Sequence, residues 1–198
     1  MQIPSIEQCY QLMCDMKMMD HIVRHSLQVC RVATYLAQNL NAQHHRLNYD
    51  LIRAASLLHD ITKTRSFKTE ENHALTGGQF LAEQGYPEVG DLVRQHVRLD
   101  AYPDPVTLGE AEIINYADKR VLHERIVGLD KRLNYILEKY GKLPEHKERI
   151  RWLWDKTQAL EEEIFRKLAI TPQNLGRLLN ADDKFIDFSG YQKVCNLI

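Results

Sequence analysis

A histidine and an aspartate stand side by side at positions 59 and 60, within a stretch that is otherwise largely apolar. Apolar residues recur through it at the spacing of a helix that is buried along one face: Ala54, Leu57, Leu58 and Ile61. An ionised carboxylate that is buried without a partner costs a great deal of free energy. His59 and Asp60 are therefore expected to be hydrogen-bonded, paired with a charge or bound to a metal ion.

Four further polar residues each lie on or beside the apolar stripe of another predicted helix: His25, His73, His96 and Asp118. A single histidine in such a place is more often a structural residue than a ligand. Polar groups on five successive helices can satisfy one another only if they converge. Converging imidazoles and carboxylates form a metal site, because a cation compensates the buried charge and uses the free lone pairs.

The order and surroundings of these residues resemble the H…HD…D signature of the HD superfamily of metal-dependent phosphohydrolases. His25 lies in RHSLQVCRVATYLA, the pair in RAASLLHDITK and Asp118 in INYADKR, and the resemblance covers roughly residues 20–122. His73 and His96 fall where binuclear members have two more histidines, a pattern similar to the HD-GYP phosphodiesterases and the symmetrical dinucleoside polyphosphate hydrolases. The GYP motif is missing, and Ile-Thr-Lys follows the pair instead of Ile-Gly-Lys. A cyclic-dinucleotide substrate is therefore disfavoured.

This resemblance implies a ligand set and a reaction. One metal ion would be held by His25, His59, Asp60 and Asp118, and a second by His73 and His96, with Asp60 bridging the two. Two ions about 3.5–4 Å apart can bind a hydroxide and clamp a phosphoryl oxygen. Mixed imidazole and carboxylate ligands suit iron or manganese, and also cobalt or nickel, better than magnesium. The expected enzyme cleaves a phosphoester or phosphoanhydride of a nucleotide or another small phosphorylated metabolite.

Basic residues near the pair are candidates for contacts with the substrate. Lys63 follows His59 by one helical turn, and the family has a lysine at this place, so Lys63 is predicted to act in catalysis and to contact phosphate. Arg65 and Arg98 are weaker candidates for holding further phosphates. The alternative for Lys63 is a solvated lysine at the C-terminus of a helix, which the helix dipole favours; for both arginines it is a plain surface charge.

The periodicity of nearly every long segment is helical, so the predicted fold class is all-α. Helices are predicted over about 5–16, 22–41, 49–62, 72–84, 87–96, 111–121, 126–140, 150–168 and 172–179. Residues 63–71 are predicted to be a charged loop, 102–105 a turn and 185–188 a short extended segment. Residues 1–122 are expected to form an HD-type helical core, and 123–198 a helical extension packed on it.

Composition narrows the choice of partners and compartment. A chain of 198 residues suits one domain with at most a small appendage, and a net charge of -1 gives no electrostatic reason to expect a nucleic-acid polymer as partner. Neither a secretory signal nor an apolar run of about 20 residues is visible. The four cysteines show no metal-binding spacing and are expected to be reduced. A cytoplasmic protein without a membrane partner is predicted, and a homo-oligomer is compatible with the sequence.

Two other functions remain open at this point. One is a mononuclear 5'-nucleotidase, in which His73 and His96 are structural. The other is a non-catalytic sensor that keeps its metal site in order to bind a metal or a nucleotide.

Overall fold

The computed structural model describes residues 2–102, 106–179 and 187–196, which are helical apart from short connections and one small hairpin. The first helices are α1 (Ile6–Asp15), α2 (Asp20–Ala42), α3 (Tyr49–Leu58), α4 (Lys63–Thr69), α5 (His73–Glu83), α6 (Pro87–Arg94) and α7 (Glu110–Lys119). The hairpin strands β1 (Val121–Leu122) and β2 (Arg125–Ile126) follow, and then α8 (Leu129–Tyr140), α9 (Pro144–Arg166), a 3-10 turn (Pro172–Asn174), α10 (Leu175–Leu179) and α11 (Phe188–Val194). The all-α prediction is confirmed.

The second helix is the centre of the core. It packs against α3 and α7, and apolar side chains such as Val29, Ala33 and Leu36 on it are fully buried. Helix α6 packs on α3, α5 and α7, and α3 also contacts α7. This packing brings the residue pair after α3, the start of α5 and the end of α6 close to one another.

Helix capping sets where two of these elements begin. Ser5 and Gln8 form a reciprocal capping box at the start of α1. The Asn72 side chain accepts hydrogen bonds from the backbone N–H groups of Ala74 and Leu75, at 3.1 and 3.4 Å. This cap fixes His73 as the first residue of α5.

Two boundaries around the His59-Asp60 pair differ from the prediction. Helix α3 ends at Leu58 rather than near Thr62, and residues 59–62 form turns in which the Ile61 and Lys63 N–H groups bond three residues back. The predicted charged loop contains the seven-residue helix α4, none of whose side chains is buried. The periodicity of apolar residues does not reveal either feature. A turn can continue the apolar spacing of the helix before it, and a short helix on the surface does not need an apolar stripe.

The hairpin is also an unpredicted element. Val121 and Ile126, which were predicted to be helical, pair across β1 and β2, and α8 begins only at Leu129. Both residues are β-branched, which favours extended backbone. His123 makes the tight connection at a positive φ of 56°.

The predicted extension packs on the helices before it. Helix α9 contacts α7, and Trp154, Leu160 and Ile164 are buried, with Trp154 Nε1 donating to the Leu129 carbonyl at 3.2 Å. The division at residue 122 stays a prediction. Residues 103–105 of the predicted turn 102–105 and residues 185–186 of the predicted extended segment 185–188 lie outside the described residues. Asp187 caps α11 and Phe188 is the first residue of that helix, so the extended prediction is wrong for Phe188.

The expectation of reduced cysteines is wrong for one pair. Cys14 and Cys195 form a disulfide, with Cα atoms 5.7 Å apart, because α11 packs on α1. Their separation of 181 residues leaves no local spacing that could reveal the pairing. Cys9 and Cys30 are buried and lie outside this disulfide. In the described parts of the chain, no helix combines the length and the apolar content that crossing a membrane requires.

Candidate metal centre

The six residues predicted as ligands meet in one place. His25 lies within α2, His59 and Asp60 form the turn after α3, His73 begins α5, His96 follows the end of α6, and Asp118 is in the last turn of α7. Donor atoms of His25, His59 and Asp118 all lie within 4.8 Å of one another, as do those of His59, Asp60 and His96. The convergence expected from the sequence is therefore present in the structure.

One set of donor atoms surrounds Asp118. His25 Nε2 lies 3.0 Å from Asp118 Oδ1, and His59 Nε2 lies 3.7 Å from the same oxygen. His59 Nε2 is also 3.4 Å from Asp60 Oδ2. His59 thus stands between the two carboxylates.

A second set surrounds the other oxygen of Asp60. Asp60 Oδ1 lies 3.3 Å from His73 Nε2 and 3.6 Å from His96 Nε2, and these two nitrogens are 3.3 Å apart. Asp60 therefore turns one oxygen towards each set. The two sets adjoin and share this carboxylate.

Backbone carbonyl groups orient three of the imidazole rings. The Nδ1 atoms of His25, His59 and His96 lie 2.8, 2.8 and 2.7 Å from the carbonyl oxygens of His123, Ser56 and Val93, respectively. Because a carbonyl oxygen can only accept, each Nδ1 carries the hydrogen and Nε2 faces the other ligands. Metal-binding histidines are held in this way, with the second ring nitrogen donating to a carbonyl or carboxylate group.

Buried atoms without partners test whether a cation fits. His59 and Asp60 are completely buried, and neither His59 Nε2 nor Asp60 Oδ1 has a hydrogen-bond partner among the described residues. Each such atom costs roughly 1–3 kcal/mol, and more when it is charged. A divalent cation would coordinate both atoms, so the donor set fits a metal ion.

Neighbouring charges keep both carboxyl groups ionised. Burial acts to raise the pKa of Asp60, but the Lys63 ammonium and His59 outweigh it and hold that pKa well below its usual range. Burial likewise opposes ionisation of Asp118, whose pKa is nevertheless held well below its usual range by His25 and Arg132. Both groups are therefore available as anionic ligands.

The histidines differ in charge when no metal is bound. Burial opposes protonation of His59, yet the Asp60 and Asp118 carboxylates raise its pKa, so a metal ion competes with a proton there. Burial and the charge of His59 lower the pKa of His96 from 6.5 to about 3. His96 is thus a neutral imidazole that can coordinate a metal directly.

We expect His96 to make the metal-free protein sensitive to acid. Between pH 6.5 and 3 the unfolded chain binds a proton at this position while the folded chain does not, so the free energy of unfolding falls as pH falls. The contribution of His96 to this decrease in the free energy of unfolding approaches about 1.4 kcal/mol per pH unit. The free energy of unfolding of chelator-treated protein is measured by urea titration at several pH values. From pH 6.5 to 4.5 it should fall less steeply in His96→Asn than in the wild type.

The control for that measurement is the exposed His44, whose substitution by asparagine should leave the slope unchanged. Equal slopes for His96→Asn and the wild type would contradict a neutral, buried His96.

The three basic residues predicted to contact substrate lie in different settings. Lys63 is 28% exposed, and its Nζ lies 2.7 Å from Asp60 Oδ2, so it borders the ligand cluster. Arg65 pairs with Glu71 at 2.7 Å, and the exposed Arg98 has its guanidinium carbon 6.0 Å from the Trp152 ring. Within the described structure, neither arginine contacts any of the six predicted metal-binding residues, and the roles of both stay predictions.

Sequence reasoning missed a cation that the extension brings to the site. Arg132 on α8 places one guanidinium nitrogen 3.7 Å from Asp118 Oδ1. In the sequence this arginine belongs to the charged run Asp130-Lys131-Arg132, and nothing in that run indicates that Arg132 lies beside Asp118.

Two residues that support His96 were also missed. Lys119 Nζ donates to the His96 carbonyl at 3.1 Å and to Asn115 Oδ1 at 2.8 Å, and Asn115 Nδ2 donates to the His96 carbonyl at 3.0 Å. Burial lowers the pKa of Lys119 to about 8. Both residues lie in the INYADKR segment around Asp118, and their place in this motif is the sequence feature that could have identified them.

Comparison with known proteins gives one family match and several relatives. A family model described as HD domain matches residues 22–160. An uncharacterised protein of Methanocaldococcus jannaschii is 26% identical over 137 residues, which is 62% of this chain and 79% of that protein. Ribonuclease Y of Rubrobacter xylanophilus is 36% identical over 74 residues, and that of Fusobacterium nucleatum 32% identical over 65 residues. These matches cover 37% and 33% of this chain, and 13% and 12% of the two ribonucleases. No solved structure matches the chain.

Proposed function

Because the chain belongs to the HD domain family of metal-dependent phosphohydrolases, we propose that it hydrolyses a phosphoester or phosphoanhydride in a nucleotide or another small phosphorylated metabolite. Two divalent metal ions, iron or manganese, would be the cofactors. His25, His59 and Asp118 would hold one ion and His73 and His96 the other, with Asp60 shared between them.

The single observation that supports this proposal most strongly is the position of Asp60. It is completely buried, one of its oxygens faces His59 and Lys63, and the other faces His73 and His96. A carboxylate in such a place adds nothing to an apolar core, and its Oδ1 lacks a hydrogen bond within the described structure. Ligation of a cation would satisfy Oδ1, whereas Oδ2 already accepts a hydrogen bond from Lys63.

Metal ions bound by these residues would supply Lewis acidity towards a phosphoryl oxygen and would lower the pKa of water to near neutrality. The chain contributes the fixed orientation of the imidazoles, through the carbonyl groups of Ser56 and Val93 among others. Lys63 and His73 are the most exposed members of the cluster, at 28% and 24%, so substrate would approach from their side. At that opening the Lys63 ammonium is placed to contact a phosphate oxygen.

A small substrate is favoured over a nucleic-acid polymer. The net charge of -1 gives no electrostatic reason to expect a nucleic-acid backbone as the main partner. The name of the two ribonuclease relatives specifies RNA as their substrate, and the matched segment covers 13% or less of each protein. A short RNA therefore belongs in the test as a competing substrate.

The test is a substrate panel with protein that was purified anaerobically and loaded with iron or manganese. The panel contains a generic phosphomonoester, a generic phosphodiester, nucleoside mono- and triphosphates, a dinucleoside polyphosphate and a short RNA oligonucleotide. We expect metal-dependent cleavage of at least one small phosphorylated compound, with the RNA left intact. Tight nucleotide binding without turnover of any compound would instead support a non-catalytic sensor.

A variant pair on α2 connects this activity to the proposed ligands. His25→Asn should lower metal affinity and hydrolysis by at least about 100-fold, because a neutral amide replaces the imidazole 3.0 Å from Asp118. His21→Asn is the matched control, since His21 is exposed one turn earlier on the same helix. Equal metal content and activity in the two variants would contradict the assignment of His25.

A further inference from the structure

Helix α8 of the extension borders the metal centre through two residues. The Arg132 guanidinium lies 3.7 Å from Asp118 Oδ1, and its side chain is only 11% exposed. Tyr135, on the same helix, has its ring centre 5.8 Å from the Arg132 guanidinium carbon and 5.5 Å from the His123 ring. His123 is the residue whose carbonyl group orients His25. The ligand cluster is therefore covered on this side by the extension.

Arg132 has N–H donors that are free to bind a further acceptor. Its Nε is buried and has no partner among the residues that the structure describes. The contact with Asp118 is an ion pair at 3.7 Å, which is longer than a hydrogen bond. A guanidinium group carries five N–H donors in a planar fork that matches two oxygens of a carboxylate or a phosphate.

A second cation lies beside the other carboxylate of the cluster. Lys63 Nζ is 2.7 Å from Asp60 Oδ2, and Arg132 is 3.7 Å from Asp118 Oδ1, so each carboxylate already has a cationic neighbour. Once a divalent cation binds, the two negative charges of Asp60 and Asp118 are needed to neutralise the ion. They cannot neutralise Lys63 and Arg132 as well. The site then has an excess of positive charge that a bound anion would balance.

From these contacts we propose that Arg132 binds a phosphate oxygen of the substrate and forms, with Lys63, an anion subsite beside the metal centre. This inference rests on the proposed phosphohydrolase function. It assigns to the extension a direct part in holding the substrate, because α8 carries Arg132. The ligand class is an anionic phosphate group, either in the substrate or as the released product.

Binding of inorganic phosphate tests the subsite without relying on turnover. Isothermal titration is carried out with manganese-loaded wild type, Arg132→Gln, Arg132→Lys and Lys131→Gln. We expect Arg132→Gln to weaken phosphate binding about 10- to 100-fold, because a hydrogen-bonded charge pair is lost. Arg132→Lys should fall between Arg132→Gln and the wild type, since an ammonium keeps the charge but not the planar fork.

Lys131→Gln is the matched control, because Lys131 is an exposed cation on the same helix and its loss should leave phosphate affinity unchanged. Metal content, measured by elemental analysis, should be the same in all four proteins. Unchanged phosphate affinity in Arg132→Gln, or a wild type that binds metal but no phosphate, would overturn the subsite and leave the phosphohydrolase proposal standing.

Loss of metal together with phosphate in Arg132→Gln would also overturn the subsite, because Arg132 would then act by holding Asp118. A wild type that binds no metal would remove the proposed function itself, and this inference with it.

Discussion

Substitution of Asp60 by asparagine is expected to abolish metal binding and to lower hydrolysis by about a thousandfold or more. The carboxylate offers one oxygen to His59 and Lys63 and the other to His73 and His96, so both sets of donor atoms lose their shared anion. An amide is neutral and has only one oxygen to offer. A metal ion contributes several kcal/mol to catalysis, which corresponds to at least a thousandfold in rate.

The measurement for Asp60→Asn combines elemental analysis with the hydrolysis assay. Asparagine has nearly the same shape as aspartate but cannot form the ion pair with Lys63, so the metal-free variant should keep the helical circular-dichroism spectrum of metal-free wild type and unfold at a lower temperature. Asp155→Asn is the control, since Asp155 is exposed on α9. Normal metal content and activity in Asp60→Asn would refute the assignment of Asp60.

Replacement of Gly90 by alanine is the substitution expected to damage the fold most, through the contact between α5 and α6. A Cβ at this position would overlap the carbonyl oxygen of Gly78 and would approach the Ala82 nitrogen to 3.3 Å. Since both neighbours are backbone atoms of a helix, the two helices would have to move apart. Overpacking of this kind costs about 1–3 kcal/mol and sometimes more.

The same movement should disturb the second set of donor atoms, because α5 begins with His73 and α6 leads into His96. We therefore expect Gly90→Ala to lower the free energy of unfolding in urea and to weaken metal binding. Gly176→Ala in α10 is the control, since its Cβ would come no closer than 3.8 Å to Ile126. Alanine is intrinsically the better helix former by about 1 kcal/mol, so a stable Gly90→Ala would show that the helices have room.

The convergence of the six candidate ligands could be predicted from the sequence because its signal is local. A histidine such as His25 or His96 on an otherwise apolar stripe is visible in the helical spacing around it, and the order of the motif residues supplies the rest. The helices that carry these residues follow from the same periodicity and from caps such as Asn72.

Features that depend on tertiary contacts were not visible in the same way. The end of α3 at Leu58 lets the pair leave the helix, and the His59 ring bonds the Ser56 carbonyl, a detail that periodicity does not contain. Arg132 reaches Asp118 only because α8 packs beside the cluster. The Cys14–Cys195 disulfide likewise joins two ends of the chain that no local pattern connects.

The count of metal ions per chain tests the central claim most directly. Wild-type protein is purified anaerobically, reconstituted with manganese or iron, and measured by native mass spectrometry and elemental analysis. Two adjoining donor sets that share Asp60 predict about two ions per chain. A single ion would favour the mononuclear alternative, and a chain that binds no ion after reconstitution would contradict the metal centre altogether.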